Sequence, residues 1–141
     1  MATRFFTFAL IVLMGCSFFE PEPTVRVITD RGIYSLPSPT EGVVVSYTVK
    51  NSSSSMVWIP RCGDVFVLAV DLWVDDDWWH VDPGTCPPEM QGAPFLLGVG
   101  EEAADQALFL SPGKYRIGVT AYDPTGRSEE WYGVSNEFEV F

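Results

Sequence analysis

The chain has 141 residues, a length that predicts one domain. Apolar residues make up 47% of it and aromatic residues 14%, which excludes an intrinsically disordered chain. The formal net charge of −11 argues against binding to nucleic acid or to anionic lipid headgroups, because both are themselves negatively charged.

The first fifteen residues have the pattern of a helical signal peptide. Arg4 supplies the positive charge, and Phe5–Met14 is a ten-residue run that is apolar except for Thr7. This length suits an export signal and is too short for a transmembrane helix, which needs about 20 apolar residues. Removing residues 1–15 takes away Arg4 and no acid, so the mature chain carries 7 − 19 = −12.

The segment Leu13-Met14-Gly15-Cys16 resembles the lipobox of bacterial lipoproteins. The resemblance implies that Cys16 is acylated and becomes the mature N-terminus. Because Ser17 rather than aspartate follows, it also implies outer-membrane sorting in an organism with two membranes. Residues 16–24 then form a short tether. The alternative is an ordinary secretory signal beside an incidental cysteine.

From residue 25 onward, apolar residues recur with the period of two that is typical of strands. The alternating runs begin with Val25 and Val27 and end with Phe138 and Val140. Between these ends, the predicted inward faces are Val43/Val45/Tyr47/Val49, Val57/Ile59, Phe66/Leu68/Val70/Leu72/Val74, Leu108/Leu110 and Tyr115/Ile117/Val119/Ala121. Residues 100–107 predict at most one helical turn, so the pattern predicts an all-β domain over residues 25–141.

Two motifs resemble the late strands of bacterial Ig-like domains. One is Leu110-Ser111-Pro112-Gly113-Lys114-Tyr115-Arg116, and the other is Ser135-Asn136-Glu137-Phe138-Glu139-Val140. The resemblance implies an immunoglobulin-like β-sandwich of about seven to nine antiparallel strands, in which Tyr115 forms a tyrosine corner. A β-barrel is the structural alternative.

A more distant resemblance, to the Ig-like bacterial intracellular proteinase inhibitor family, rests on Val49-Lys50-Asn51-Ser52 and Pro112-Gly113-Lys114-Tyr115. It implies a protease inhibitor as one alternative function. The segment 123–135, which we predict to be a loop between the last two strands, would then enter the protease cleft.

Cys62 and Cys86 are predicted to form a disulfide, because an exported chain meets an oxidising compartment and Cys16 accounts for the third cysteine. The alternative is a metal site of these two cysteines with His80. Another is a calcium site at Asp75-Asp76-Asp77, which otherwise forms a solvated hairpin tip. His80, the only histidine, is predicted to face solvent.

Aromatic side chains supply the candidate binding residues. We expect Trp131 and Tyr132, beside Glu129 and Glu130, to form a recognition loop, helped by the more exposed of two neighbouring tryptophans, which are Trp78 and Trp79. Trp58, Trp73 and Trp78 are expected to form cross-strand aromatic pairs or a stacking platform.

Together these features predict a lipid-anchored, non-enzymatic module of the bacterial cell envelope with a binding or structural-accessory role. No cofactor is expected. The expected partners are the membrane, through the lipid, and an envelope protein or a glycan. A protease inhibitor and a carbohydrate-binding module are the alternative functions.

Overall fold

The computed structural model describes residues 24–38, 40–81, 85–125 and 130–141. The predicted signal peptide, Cys16 and most of the tether therefore lie outside the described residues. Within these ranges, no helix has the length and apolar character needed to cross a membrane.

Almost all of the regular structure is β, as the alternating pattern predicts. Among the described residues, the single exception is a short 3-10 helix at Pro88–Met90. The strand segments, in chain order, are β1 (Val25–Thr29), β2 (Ile33–Tyr34), β3 (Val43–Asn51), β4 (Val57–Ile59), β5 (Arg61–Cys62), β6 (Val65–Phe66), β7 (Leu68–Val74), β8 (Asp77–Val81), β9 (Phe95–Leu97), β10 (Glu102–Phe109), β11 (Gly113–Tyr122), β12 (Glu130–Val134) and β13 (Phe138–Val140).

The segments form two main sheets. The smaller sheet has the order β1-β3-β10. In the larger sheet, β11 lies between β7 on one side and β12 and β13 on the other, and β8 extends the sheet beyond β7. Strands that are distant in sequence, such as β3 and β10 or β7 and β11, pair antiparallel, and β2 pairs parallel with β13. This pairing is that of the predicted immunoglobulin-like sandwich.

Several segments are successive pieces of one sandwich strand. Both β4 and β7 pair with β11, and β9 and β8 pair with the far sides of β4 and β7. In the same way, β12 and β13 pair with successive parts of β11. Joining these three pairs reduces the thirteen segments to ten. Without β5 and β6, which form a separate hairpin, eight sandwich strands remain among the described residues, in agreement with the predicted number.

The core lies between the two sheets and follows the predicted alternation. In β3 and β11 every second residue is buried, and three aromatic rings, those of Phe109, Tyr115 and Phe138, contact one another at one end. Tyr115 also forms the predicted tyrosine corner, because its hydroxyl donates to the Ser111 carbonyl at 3.1 Å.

Three expectations about the strands are wrong. Leu108 and Leu110, predicted to face inward, are 59% and 56% exposed, because the odd-numbered residues of β10 face the core and Phe109 is buried instead. Residues 102–109 form β10 rather than a helical turn, because they pair along their whole length with β3. The predicted apolar face of β7 is only half-buried, since β7 and β8 lie toward an edge of the sheet. The most buried residue of β7 is instead Asp71, on the opposite face, with 8% of its surface exposed.

An insert interrupts the strand formed by β4 and β7. The β5–β6 hairpin leaves the sheet here, and residues 85–94 pack beside it. The predicted disulfide joins the two parts, with the Cα atoms of Cys62 and Cys86 5.5 Å apart. A backbone hydrogen bond from Gly63 to the Met90 carbonyl, at 2.7 Å, adds a second link. We call these two parts, residues 61–66 and 85–94, the stapled insert.

Candidate functional site

The outer face of the larger sheet carries a row of three polar side chains. Asp71 pairs in register with Arg116 of β11 on one side and with His80 of β8 on the other, so the three side chains point the same way. Arg116 Nε donates to Asp71 Oδ2 at 2.7 Å, and His80 Nδ1 lies 3.2 Å from Asp71 Oδ1. We call these three residues the ion-pair row.

Asp71 is held ionised in this row. Burial by itself would raise the pKa of its carboxyl group, but the hydrogen bonds from Arg116 and His80 outweigh burial and hold the pKa below its usual value. The ionised carboxylate in turn fixes the Arg116 guanidinium in place. His80 remains largely open to solvent, with 61% of its side chain exposed, as the sequence predicts.

Tryptophan rings continue the outer face next to the ion-pair row. Trp73 and Trp78 are a cross-strand pair with ring centroids 5.0 Å apart in an edge-to-face arrangement. The Arg116 guanidinium lies 4.5 Å from the Trp78 centroid, and Lys114 Nζ lies 5.1 Å from that of Trp73. The ring contact confirms the predicted Trp73–Trp78 pairing, and the cation–π contacts leave both indoles half-buried beneath charged groups.

A groove of about 710 Å³ lies between the outer face and the stapled insert. We call it the outer-face groove. Its floor is the sheet and its wall is the insert, and the lining residues are Trp58, Pro60, Arg61, Val67, Leu68, Ala69, His80, Thr85, Cys86, Gln91, Gly92, Pro94, Thr120 and Tyr122. Because His80 belongs to both features, the groove and the ion-pair row form one continuous surface.

Aromatic and polar groups line the groove together. Trp58 and Tyr122 are register partners whose rings are stacked 4.6 Å apart, with their planes 22° from parallel. On the insert, Arg61 donates from Nη2 to the Asp64 carbonyl at 2.7 Å, and its guanidinium lies 5.9 Å from the Phe95 ring. Arg61 Nε is buried and has no hydrogen-bond partner among the described residues.

The predicted recognition loop is wrong. Residues 130–134 form β12, which pairs with β11 over five residue pairs, so Trp131 and Tyr132 lie within a sheet. Alternation then separates them: Trp131 packs against the core, whereas Tyr132 is exposed on the outer face. Glu130 is the exposed first residue of β12, and Glu129 lies outside the described residues.

The protease-inhibitor alternative requires residues 123–135 to project as a loop into a cleft. Residues 130–134 instead pair with β11, so the second half of this segment is a strand, and residues 126–129 lie outside the described residues.

Tyr132 belongs to the outer face through its contact with β11. Its ring lies over Gly118, where a Cβ atom would overlap the phenol. Burial, together with the nearby charge of Asp71, raises the pKa of Tyr132, so the hydroxyl stays protonated at neutral pH and can donate a hydrogen bond.

The two neighbouring tryptophans are separated by strand alternation. Trp78 lies on the outer face under Arg116, whereas Trp79 points to the opposite face, where it pairs with Leu72 and is 61% exposed. The expectation that the more exposed indole assists Tyr132 is therefore wrong, because Trp79 is on the other side of the sheet.

Neither predicted metal alternative has support among the described residues. Cys62 and Cys86 are bonded to each other and have no free thiols to offer. Asp75 and Asp76, both with positive φ, form the tight turn between β7 and β8. Across the described ranges, no group of three or more His, Cys, Asp or Glu side chains is arranged to hold a metal ion.

Sequence reasoning missed the outer-face groove and the ion-pair row as a unit. A signal was present for the row, because Asp71 is a lone acid in the apolar run Leu68–Val74, and Arg116 alternates with buried residues of β11. No sequence signal places the stapled insert beside Trp58 and Tyr122.

Comparisons with known proteins give two structural likenesses. Neither the family models nor the curated proteins contain a match. The ASH/PapD-like domain 7 of human CEP192 is 14% identical, with a TM-score of 0.41, 98% of this chain covered and 94% of that one. The alkylpurine DNA glycosylase AlkC of Pseudomonas fluorescens, solved with DNA containing an abasic-site analogue, is 15% identical, with a TM-score of 0.37, 84% of this chain covered and 30% of that one.

Identities and TM-scores this low carry no argument about a ligand, a partner or an activity. Any functional argument must therefore come from the residues of this chain.

Proposed function

We propose that this protein is a lipid-anchored, non-enzymatic binding module of the bacterial cell envelope, and that it recognises its ligand with the outer face of its larger sheet. The anchor rests on the lipobox resemblance at Leu13–Cys16. The recognition surface rests on one observation, namely that the outer-face groove and the ion-pair row meet at His80.

The chemistry of this surface suits recognition. Binding sites in proteins combine apolar walls with a few fixed polar groups that set orientation. Here the stacked rings of Trp58 and Tyr122 supply the apolar part. Asp71 fixes the Arg116 guanidinium, and His80 remains available to solvent as a donor or an acceptor.

Site-specific photo-crosslinking in living cells tests this function. A photoreactive side chain is placed at His80 in one version of the full chain. In the matched control it is placed at Arg26, an exposed position on the outer face of the smaller sheet. We expect a discrete crosslinked species from His80 and none from Arg26, because only the first position borders the groove.

Two results would contradict the proposal. One is the absence of any adduct from His80. The other is the same set of adducts from both positions, which would indicate random encounters at the cell surface.

A further inference from the structure

The outer-face groove has the aromatic component of a sugar-binding site. Trp58 and Tyr122 both line it and are only half-buried, so part of their ring surface faces the groove rather than the core. The stack fixes the two rings against each other at 4.6 Å. A preformed, rigid aromatic surface binds a flat apolar partner, such as the C–H face of a pyranose ring, at little cost in side-chain entropy.

Polar groups surround this aromatic surface on both the floor and the wall of the groove. The lining includes the side chains of His80, Thr85, Gln91 and Thr120, all of which offer hydrogen bonds to hydroxyl groups. Arg61 adds the Nε–H group, which is buried without a partner among the described residues. A buried donor left unpaired is unfavourable, so a small shift of Arg61 toward a ligand oxygen would be favourable.

The net charge of the chain and the ion pair of Arg61 restrict the class of ligand that the groove can bind. The chain carries −11 overall, so a polyanion would be repelled at long range. Arg61, a cation of the groove wall, already pairs with Asp64, with Nη2 3.4 Å from Oδ1. A ligand with many hydroxyl groups and no net charge is not repelled by the negative charge of the chain. It also needs no free cation in the groove to bind to.

We propose that the outer-face groove binds a neutral saccharide, whose ring packs on Trp58 and Tyr122 and whose hydroxyl groups bond to the insert wall and to His80. This inference rests on the proposed function and adds the class of ligand. The groove volume of about 710 Å³ lies within the range of small-molecule sites.

Calorimetric titration with defined oligosaccharides tests the inference. The full chain, purified from envelopes in detergent, is titrated with three neutral hexasaccharides, namely cellohexaose, maltohexaose and the hexamer of N-acetylglucosamine, and with the hexamer of galacturonic acid as the charged comparison. We expect at least one neutral hexasaccharide to bind with a shift in tryptophan fluorescence. The galacturonate hexamer should bind about tenfold more weakly or not at all.

Substitutions inside and outside the groove show whether the saccharide binds there. Trp58→Ala should weaken binding about tenfold or more, as expected for removal of a central aromatic contact. Trp79→Ala removes an indole from the opposite face and should leave binding unchanged. Because Trp58→Ala removes a cross-strand pair, a second variant, His80→Ala with Gln91→Ala, tests the same groove through exposed side chains whose loss leaves the core intact.

The outcomes separate this inference from the proposed function. Binding that is lost in both groove variants and kept in Trp79→Ala supports the inference. Failure of all three neutral hexasaccharides, stronger binding of the galacturonate hexamer, or binding that survives both groove variants overturns it. If photo-crosslinking from His80 succeeds while the neutral sugars fail, the binding function stands and the saccharide assignment falls.

Discussion

Asn51, the last residue of β3, is fully buried although its side chain is polar. Its Nδ2 group donates to the carbonyls of Ser55, Leu97 and Gly98 at 2.8, 3.0 and 3.1 Å. Its Oδ1 atom accepts from both the backbone nitrogen and the hydroxyl of Ser53. One amide therefore joins the turn after β3 to the end of β9, close to the strand that carries Trp58.

Asn51→Ala should lower the free energy of unfolding by about 2 kcal/mol or more, because it leaves several buried backbone groups without a partner. Denaturant unfolding followed by tryptophan fluorescence measures the loss. Ser52→Ala is the matched control, since Ser52 is exposed and only its backbone bonds to Thr24. Equal stability of the two variants would show that the Asn51 amide does not hold this end of the sandwich.

At the scale of elements, the stapled insert is what turns a flat sheet face into a groove. Sheet residues such as Ala69 and Thr120 form the floor, and insert residues such as Thr85 and Gln91 form the wall. The disulfide and an isolated bridge between Cys62 and Gln91 hold the two parts of the insert together. The insert contains little apolar core of its own, so covalent closure contributes much of its stability.

Replacing both cysteines, Cys62→Ser with Cys86→Ser, should lower the free energy of unfolding by about 2–5 kcal/mol, as is typical for small exported domains. The double change avoids leaving a reactive single thiol. Denaturant unfolding of the variant, compared with the reduced and the oxidised parent chain, measures the effect. The reduced parent should match the variant, and an unfolding midpoint equal to that of the oxidised parent would contradict this expectation.

The element β12 shows why the recognition loop was predicted wrongly. Its sequence, Glu-Trp-Tyr-Gly-Val, follows a turn-rich stretch and has a weak apolar alternation. It becomes a strand because β11 offers unpaired backbone groups along Gly118–Tyr122. Gly133 also allows close approach to β1, where a Cβ atom would overlap the Val25 carbonyl. Neither condition is visible in the local sequence.

At the scale of the whole molecule, the chain enters the sandwich at the end that carries the groove. Val25 is paired with Asn51 at this end, and Trp58 and Tyr122 are paired there as well. Under the proposed lipidation of Cys16, the anchor would be attached nine residues before Val25, and thus on the chain that leads into this end of the sandwich.

Cys16→Ser should move the protein from the membrane fraction to the soluble fraction, because the acidic mature domain has no electrostatic attraction to anionic lipids that could hold it there. Fractionation and immunoblotting measure the shift, with Ser17→Ala as the control that keeps the cysteine. A Cys16→Ser protein that stays membrane-bound and is processed normally would refute the anchor.

The sequence by itself determined the architecture of this protein. Alternation in Val43–Asn51 and Gly113–Tyr122 predicted the inner faces of two central strands, and the resemblance of Leu110–Arg116 to bacterial Ig-like domains implied the corner at Tyr115. The pairing of Cys62 with Cys86 was predicted from the number of cysteines and from the predicted export signal. Strand alternation and the corner motif are local in the sequence, and the disulfide follows from counting the cysteines. A single sequence therefore contains enough information to predict these features.

Only the tertiary structure decided where the candidate site lies. Asp71, His80 and Arg116 come from three strands and meet through register, which is set by long-range pairing. The same register placed Trp131 and Tyr132 on opposite faces of one sheet, and the stapled insert formed its groove only once β4 and β7 lay beside β11. Contacts between residues far apart in the chain depend on how strands pair. The alternation of apolar residues within one strand does not indicate which other strands will pair with it.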